Sequence, residues 1–299
     1  MRKSENNNST KSQSEKKVER KNESSPTRAS KRAKKEESSM SGSGSSGGDD
    51  AGGGEEERGG GGVHVARSLF EEGIAVSRGS DFKRIDEKRG RVLIEAASAA
   101  GCPSAEAYCR YEGWGGFAED EDKAFVMFQK IAEETGFAHA ERMVANCFQK
   151  GEGVEQNWTK AVEWYTKAAE KGLSAAMHNL GRSFEKGEGV EQNWTKAVEW
   201  YTKAAEKGNS TAMYNLGDCF ENGKGVEQNS TKAVEWYSKA AEKGDSTAMN
   251  NLGLCFEYGW GVEQNLAKAV EWYTIAVDQG YTRANSRLEC ARLKMQNNE

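Results

Sequence analysis

The residues of this chain best suited to chemistry are its six cysteines, its three histidines and one Ser-x-x-Lys tetrapeptide. Cys147, Cys219 and Cys255 recur at multiples of 36 residues, with Ser183 at the place between. A zinc site needs four ligands converging on one ion, which a chain delivers through Cys-x-x-Cys or paired-His spacing. Thiols a full 36 residues apart belong to successive structural units and do not converge. Ser183-Phe184-Glu185-Lys186 sets a lysine one helical turn from a candidate nucleophile, yet neither Ser-Asp-Asn nor Lys-Thr-Gly accompanies it. Asn222 and Tyr258 replace the lysine at the corresponding later positions. His64, His139 and His178 fit no nucleophile and base arrangement. Residues 42–47 match the dinucleotide pattern Gly-x-Gly-x-x-Gly but have no strand before them and no helix after, and read as a flexible linker. The expectation is a protein without a catalytic centre, metal or cofactor.

What repeats is the scaffold. Residues 150–172 read KGEGVEQNWTKAVEWYTKAAEKG, and residues 186–208 are identical. Continuing the 36-residue shift superposes Trp164, Trp200, Trp236 and Trp272, then Phe148, Phe184, Phe220 and Phe256. Each unit holds two helix-period segments. In the second copy Ala176, Leu180, Gly181 and Phe184 form the apolar or small stripe of a helix A that stops at Gly187. Ala197, Trp200, Tyr201, Ala204 and Ala205 do the same for a helix B that stops at Gly208. Both glycines suit a left-handed C-terminal cap, while Asn193 and Ser174 are placed to cap the N-termini of helix B and helix A. Gly181 and the paired alanines clear room for a neighbouring helix, and Trp200 and Phe184 are expected to fill what remains. Trp236→Ala should accordingly open a cavity. Two such helices cannot bury their apolar face alone, so stacked neighbours must supply the missing surface. The predicted fold is all-α, a right-handed α-solenoid of 36-residue helix-turn-helix repeats preceded by a disordered N-terminal tail.

Four regular repeats occupy residues 137–280. A divergent repeat at 102–136 aligns Tyr111, Gly116, Phe117, Lys123, Ala124, Phe128 and Ala132 with the first regular copy at a shift of 37. Residues 63–101 read as a degenerate repeat or as N-terminal cap helices. Beyond the last copy Ala284 and Leu288 keep the helix A pattern, but Glu289 stands where Gly253 was. A charge there blocks another unit, so residues 281–299 read as a C-terminal capping helix. Residues 1–62, basic and then Gly-rich, hold too few large apolar side chains to offset the entropy of ordering them.

The order Ala176, Leu180-Gly181, Phe184, Gly187-Glu188-Gly189-Val190, Lys196-Ala197, Trp200-Tyr201, Ala204-Ala205, Gly208 closely resembles the Sel-one-like repeat, a relative of the tetratricopeptide repeat. The resemblance covers residues 138–280 well and 102–136 loosely. It implies an adaptor or scaffold that binds other proteins, as in protein quality control, cell-wall synthesis regulation, signalling and bacterial virulence. Some secreted bacterial relatives bridge cysteines seven apart, the spacing of Cys102 and Cys109, and cysteine-rich relatives are linked to penicillin binding, but the repeats proper lack that pairing. A penicillin-binding or β-lactamase-like hydrolase is the least favoured reading.

Because the copies are nearly identical, the positions that differ among them mark a surface. On helix A these fall on one stripe: Arg142, Asn146 and Lys150; His178, Arg182 and Lys186; Tyr214, Asp218 and Asn222; Asn250, Leu254 and Tyr258. Residues four apart share a helix face, and in tetratricopeptide-like stacks helix A lines the concave side. The stripe is therefore the candidate groove for a peptide or helix of another protein. Drift of exposed positions after duplication would leave the same mark. Trp158 and Trp194, at the first turn of helix B where other copies carry Ser230 and Leu266, read as loop packing or as a second contact patch.

The first forty residues hold twelve cationic against six acidic side chains in a chain whose net charge is −5. This excludes nucleic-acid binding by the whole body and confines it to the tail, which defines the alternative reading of a nucleus-associated regulatory factor. Arg20 and Lys21, followed by Lys31, Arg32, Lys34 and Lys35, resemble a bipartite nuclear import signal around Ser25-Pro26-Thr27, where phosphorylation would add negative charge. The Asn-x-Thr triplets at Asn157, Asn193 and Asn229 are explained by helix capping. With no apolar run of membrane-spanning length and no secretory leader pattern, the chain is expected to be soluble, without a membrane partner, and cytoplasmic or nuclear.

Overall fold

The computed structural model describes residues 61–78 and 87–297. Residues 1–60, with the import candidates and the 42–47 glycine pattern, lie outside these, while Gly61 and Gly62, read as the end of the tail, are the first residues of a helix. Among the described residues there are thirteen α-helices and no strand: α1 (Gly61–Arg78), α2 (Glu87–Ala99), α3 (Pro103–Glu112), α4 (Glu121–Thr135), α5 (Ala138–Lys150), α6 (Trp158–Glu170), α7 (Ser174–Lys186), α8 (Trp194–Glu206), α9 (Ser210–Asn222), α10 (Ser230–Glu242), α11 (Ser246–Tyr258), α12 (Leu266–Asp278) and α13 (Asn285–Gln296). Each packs mainly on the next in sequence, so the chain is an α-solenoid. In the regular repeats α5, α7, α9 and α11 are helix A, and α6, α8, α10 and α12 are helix B.

Local sequence explains the helix ends. The repeated Glu-Gln-Asn links the two helices of a unit: Gln192 Nε2 donates to the carbonyl of Glu185 at 2.8 Å, closing helix A, and Asn193 Oδ1 accepts from the amide of Lys196 at 2.9 Å, opening helix B. The same pair recurs in every regular unit, and Asp120 takes the Asn role in the divergent one. Ser174 is already the first residue of α7, and the preceding residue, Leu173, makes no side-chain cap. The cap belongs one position earlier, where Asn209 and Asp245 accept from Ala212 and Ala248 amides in the next two units.

The core also differs from the expectation in which aromatic fills it. Tyr165, Tyr201, Tyr237 and Tyr273 are fully buried, whereas Trp164, Trp200, Trp236 and Trp272 are half-buried beside them. Successive helical residues point about 100° apart, so only one of the pair can face helix A. The tryptophans of the first three units instead lie under Lys167, Lys203 and Lys239, at 3.9, 4.2 and 4.2 Å from the ring centroids. Each buried hydroxyl finds an acceptor on helix A: Tyr237 donates to Glu221 Oε2 at 2.7 Å, Tyr273 to Glu257 Oε2 at 2.7 Å, Tyr201 to Glu185, and Tyr165 to Gln149 Oε1 at 2.6 Å.

Units join through the loop between their helices. A Cβ on Gly189 would penetrate the Trp158 carbonyl at the start of the preceding helix B, and its φ of +77° is one that glycine alone adopts readily. At the C-terminal end Ala284 sits in a short 3-10 turn, Thr282–Ala284, before α13, whose buried side chains are Leu288 and Ala291. Glu289 faces solvent. No helix among the described residues is long and apolar enough to cross a membrane.

Candidate functional site

The structure divides the twelve stripe residues by depth. The first of each triplet is covered: Arg142 and Asn250 are 2% and 1% exposed, and His178 and Tyr214 are half-buried. His178 lies on the ring of Tyr201 with centroids 5.7 Å apart, and Tyr214 on Tyr237 at 5.8 Å. The next helix A closes over them. Asn215 Nδ2 is 3.1 Å from His178 Nε2, and Arg287 of α13 donates to Asn250 Oδ1 at 2.8 Å.

The middle residues, Asn146, Arg182, Asp218 and Leu254, are half-buried, and the third ones, Lys150, Lys186, Asn222 and Tyr258, are exposed. Asn146 accepts from Tyr165 at 2.6 Å, and Asp218 pairs with Lys224 at 3.2 Å. Lys150 pairs with Glu152 at 3.3 Å. Arg182 Nε is buried without a hydrogen-bond partner. At the C-terminal end Tyr258 and Trp260, 49% and 47% exposed, stack at 5.0 Å with Lys294 lying 5.1 Å from the Tyr258 ring. The accessible face therefore grades from cationic at α5 and α7 to aromatic at α11.

Three sets of residues that shape this face were not read as part of it. Asn179, Asn215 and Asn251 occupy one helix A position, and Glu185, Glu221 and Glu257 another. Their constancy in the second to fourth copies, against Met143 and Gln149 in the first, was a usable signal, since an exposed polar position would have drifted like the stripe. Trp260 replaces Glu152, Glu188 and Lys224 and was visible as a variable position outside helix A.

Burial sets the protonation of the groups nearby. Desolvation pushes the His178 pKa down to about 4, with Asn179 opposing and Arg182 adding to the shift, so the imidazole is neutral at pH 7. The Cys147, Cys219 and Cys255 thiols are pushed up to about 12, again by burial, and are poor nucleophiles. All six cysteines are free thiols, Cys102 and Cys109 among them. Among the described residues no cluster of three or more His, Cys, Asp or Glu could hold a metal ion. Trp194 is half-buried, with Lys224 of the following loop 5.1 Å from its ring.

The pattern of the Sel1 repeat matches residues 94–135, 138–173, 174–209, 210–245 and 246–281. The chain belongs to the Sel1 repeat family. Two solved Sel1-type structures are similar to it. A Sel1 repeat protein from Oxalobacter formigenes is 27% identical over 74% of this chain and 86% of its own, with a TM-score of 0.60. A protective antigen of uropathogenic Escherichia coli strains displaying an SLR fold is 28% identical over 75% of this chain, with a TM-score of 0.59. The chain spans about half of that antigen, 48% of its length. A search of curated proteins returned no significant match. Sel1 repeat proteins are generally protein-interaction scaffolds without enzymatic activity.

Proposed function

We propose that this protein is a non-catalytic adaptor whose Sel1 repeats hold a peptide or helix of another protein along the helix A face. One observation carries the reading. In the second to fourth regular repeats most residues that pack one helix on another stay fixed, while the half-buried and exposed positions of one helix A face diverge in charge, size and aromaticity. Repeats that share a scaffold and differ along one face can present a non-repeating surface to a non-repeating ligand. The buried, high-pKa thiols and the lone neutral His178 offer no nucleophile there.

Position-dependent photo-crosslinking in the full chain tests it. A benzoylphenylalanine at Leu254 or Asn222 should capture a partner that the same group at Glu199, exposed on helix B, does not capture. Lys186→Glu combined with Tyr258→Ala should abolish that capture with the circular dichroism unchanged. These exposed residues are better reporters than Tyr214, whose half-buried ring contributes to packing. Equal capture from both faces would remove the helix A face from consideration.

A further inference from the structure

Among the described residues, charge compensation on the helix A face is missing at Lys186 and its neighbour Arg182. In the second, third and fourth regular repeats an acid, Glu185, Glu221 or Glu257, accepts the buried tyrosine hydroxyl. The first repeat uses neutral Gln149 for the same task. At the C-terminal end the closing helix exploits such an acid, as Lys294 reaches back one unit to Glu257 at 2.6 Å. Lys186 holds the equivalent position one unit after Gln149, which offers it no charge. It is exposed and in none of the ion pairs of the described residues.

Arg182 lies one turn before Lys186 on the same face. Its Nε is buried without an acceptor. Two acids of the same face are engaged, Glu185 by Tyr201, and Asp218 by Lys224 at 3.2 Å and Asn222 at 2.9 Å, while Glu188 turns one carboxylate oxygen into the protein and forms no ion pair with Lys186 of the kind Glu152 forms with Lys150. His178 is neutral and adds no charge. Lys150, one unit earlier, is held by Glu152 and by the Tyr111 hydroxyl at 3.1 Å. Arg182 is only half-buried, so part of its guanidinium remains accessible, and a carboxylate meeting that part of the fork binds it more strongly than a neutral acceptor does.

We propose that Arg182 and Lys186 form an anion-binding subsite that takes a carboxylate side chain of an acidic peptide. The proposal rests on the reading of the helix A face as the docking face. Selection of phage-displayed random dodecapeptides on the full chain tests it, run in parallel on Arg182→Asn and Lys186→Asn. Both variants install the residue that a sister repeat carries at that position, Asn146 or Asn222, which the repeat fold accommodates there, and unchanged circular dichroism checks each. The wild type should enrich Asp or Glu at fixed positions, and the variants should not. A labelled consensus peptide should weaken about tenfold or more on Arg182→Asn, or when its acids become amides. It should also weaken as salt rises from about 50 to about 300 mM. A consensus without acids, enrichment unchanged on both variants, or no enrichment at all overturns the subsite. A neutral consensus lost on Leu254→Glu overturns the subsite while leaving the docking face intact, whereas an acidic consensus insensitive to every helix A substitution overturns both.

Discussion

Gly181 of α7 lies so close to Tyr201 of α8 that a Cβ on it would stand 2.7 Å from ring carbons Cδ1 and Cε1. The same clash arises between Gly217 and Tyr237 and between Gly253 and Tyr273. Glycine in mid-helix is there for proximity, since it bears no positive φ at these positions. Alanine would gain about 1 kcal/mol of helix propensity, but displacing a fully buried ring costs roughly 1–3 kcal/mol. Gly181→Ala should therefore lower the midpoint of urea unfolding, and a raised midpoint would contradict the contact.

The buried tyrosines and half-buried tryptophans give an ordering. Tyr237 is 0% exposed and hydrogen-bonded to Glu221. Tyr237→Ala should cost about 3–5 kcal/mol through a cavity and a stranded carboxylate. Trp236→Ala, which removes a half-buried ring covered by Lys239, should cost about 1–2 kcal/mol. Chemical denaturation of the two variants checks the order, and a larger loss for Trp236 would place the core on the wrong residue.

His178 makes stability depend on mild acid. Its folded pKa of about 4 lies below the ordinary value of about 6.5, so between these values the unfolded state binds more protons. Stability should fall as pH drops through that window, and this group should add no further pH dependence above or below it. His178→Tyr, which copies Tyr214 of the next repeat, should remove the dependence. Urea midpoints of both proteins across the window decide the matter, and parallel curves would refute the assignment.

The Glu257 and Lys294 pair couples α13 to α11. Burial works against the Glu257 carboxylate, but hydrogen bonds from Lys294 and Tyr273 outweigh it and hold its pKa below the usual value. A depressed acid contributes stability that is present above the unfolded pKa of about 4.3 and lost as pH falls through the folded one. Lys294→Met should raise the Glu257 pKa by NMR titration and lower the unfolding midpoint at neutral pH. The gap from wild type should close in strong acid, and a gap that persists there would mean the lysine acts through packing.

The sequence by itself determined the period, the two helices per unit and their glycine stops, because a 36-residue copy and a 3.6-residue apolar rhythm are properties of residue order. It placed Asn193 at its cap, since that bond spans only three residues. It did not determine which aromatic of Trp200-Tyr201 is buried, because both are large and adjacent, and only the crossing of α7 over α8 chooses. Nor did it show that Arg142, His178, Tyr214 and Asn250 lie deeper than the rest of their stripe. Their burial comes from the helix A of the following unit, which reaches back through Asn215 and Arg287. The solvent exposure of a repeat position is set by the neighbouring copy, and tertiary structure alone brings that copy into place.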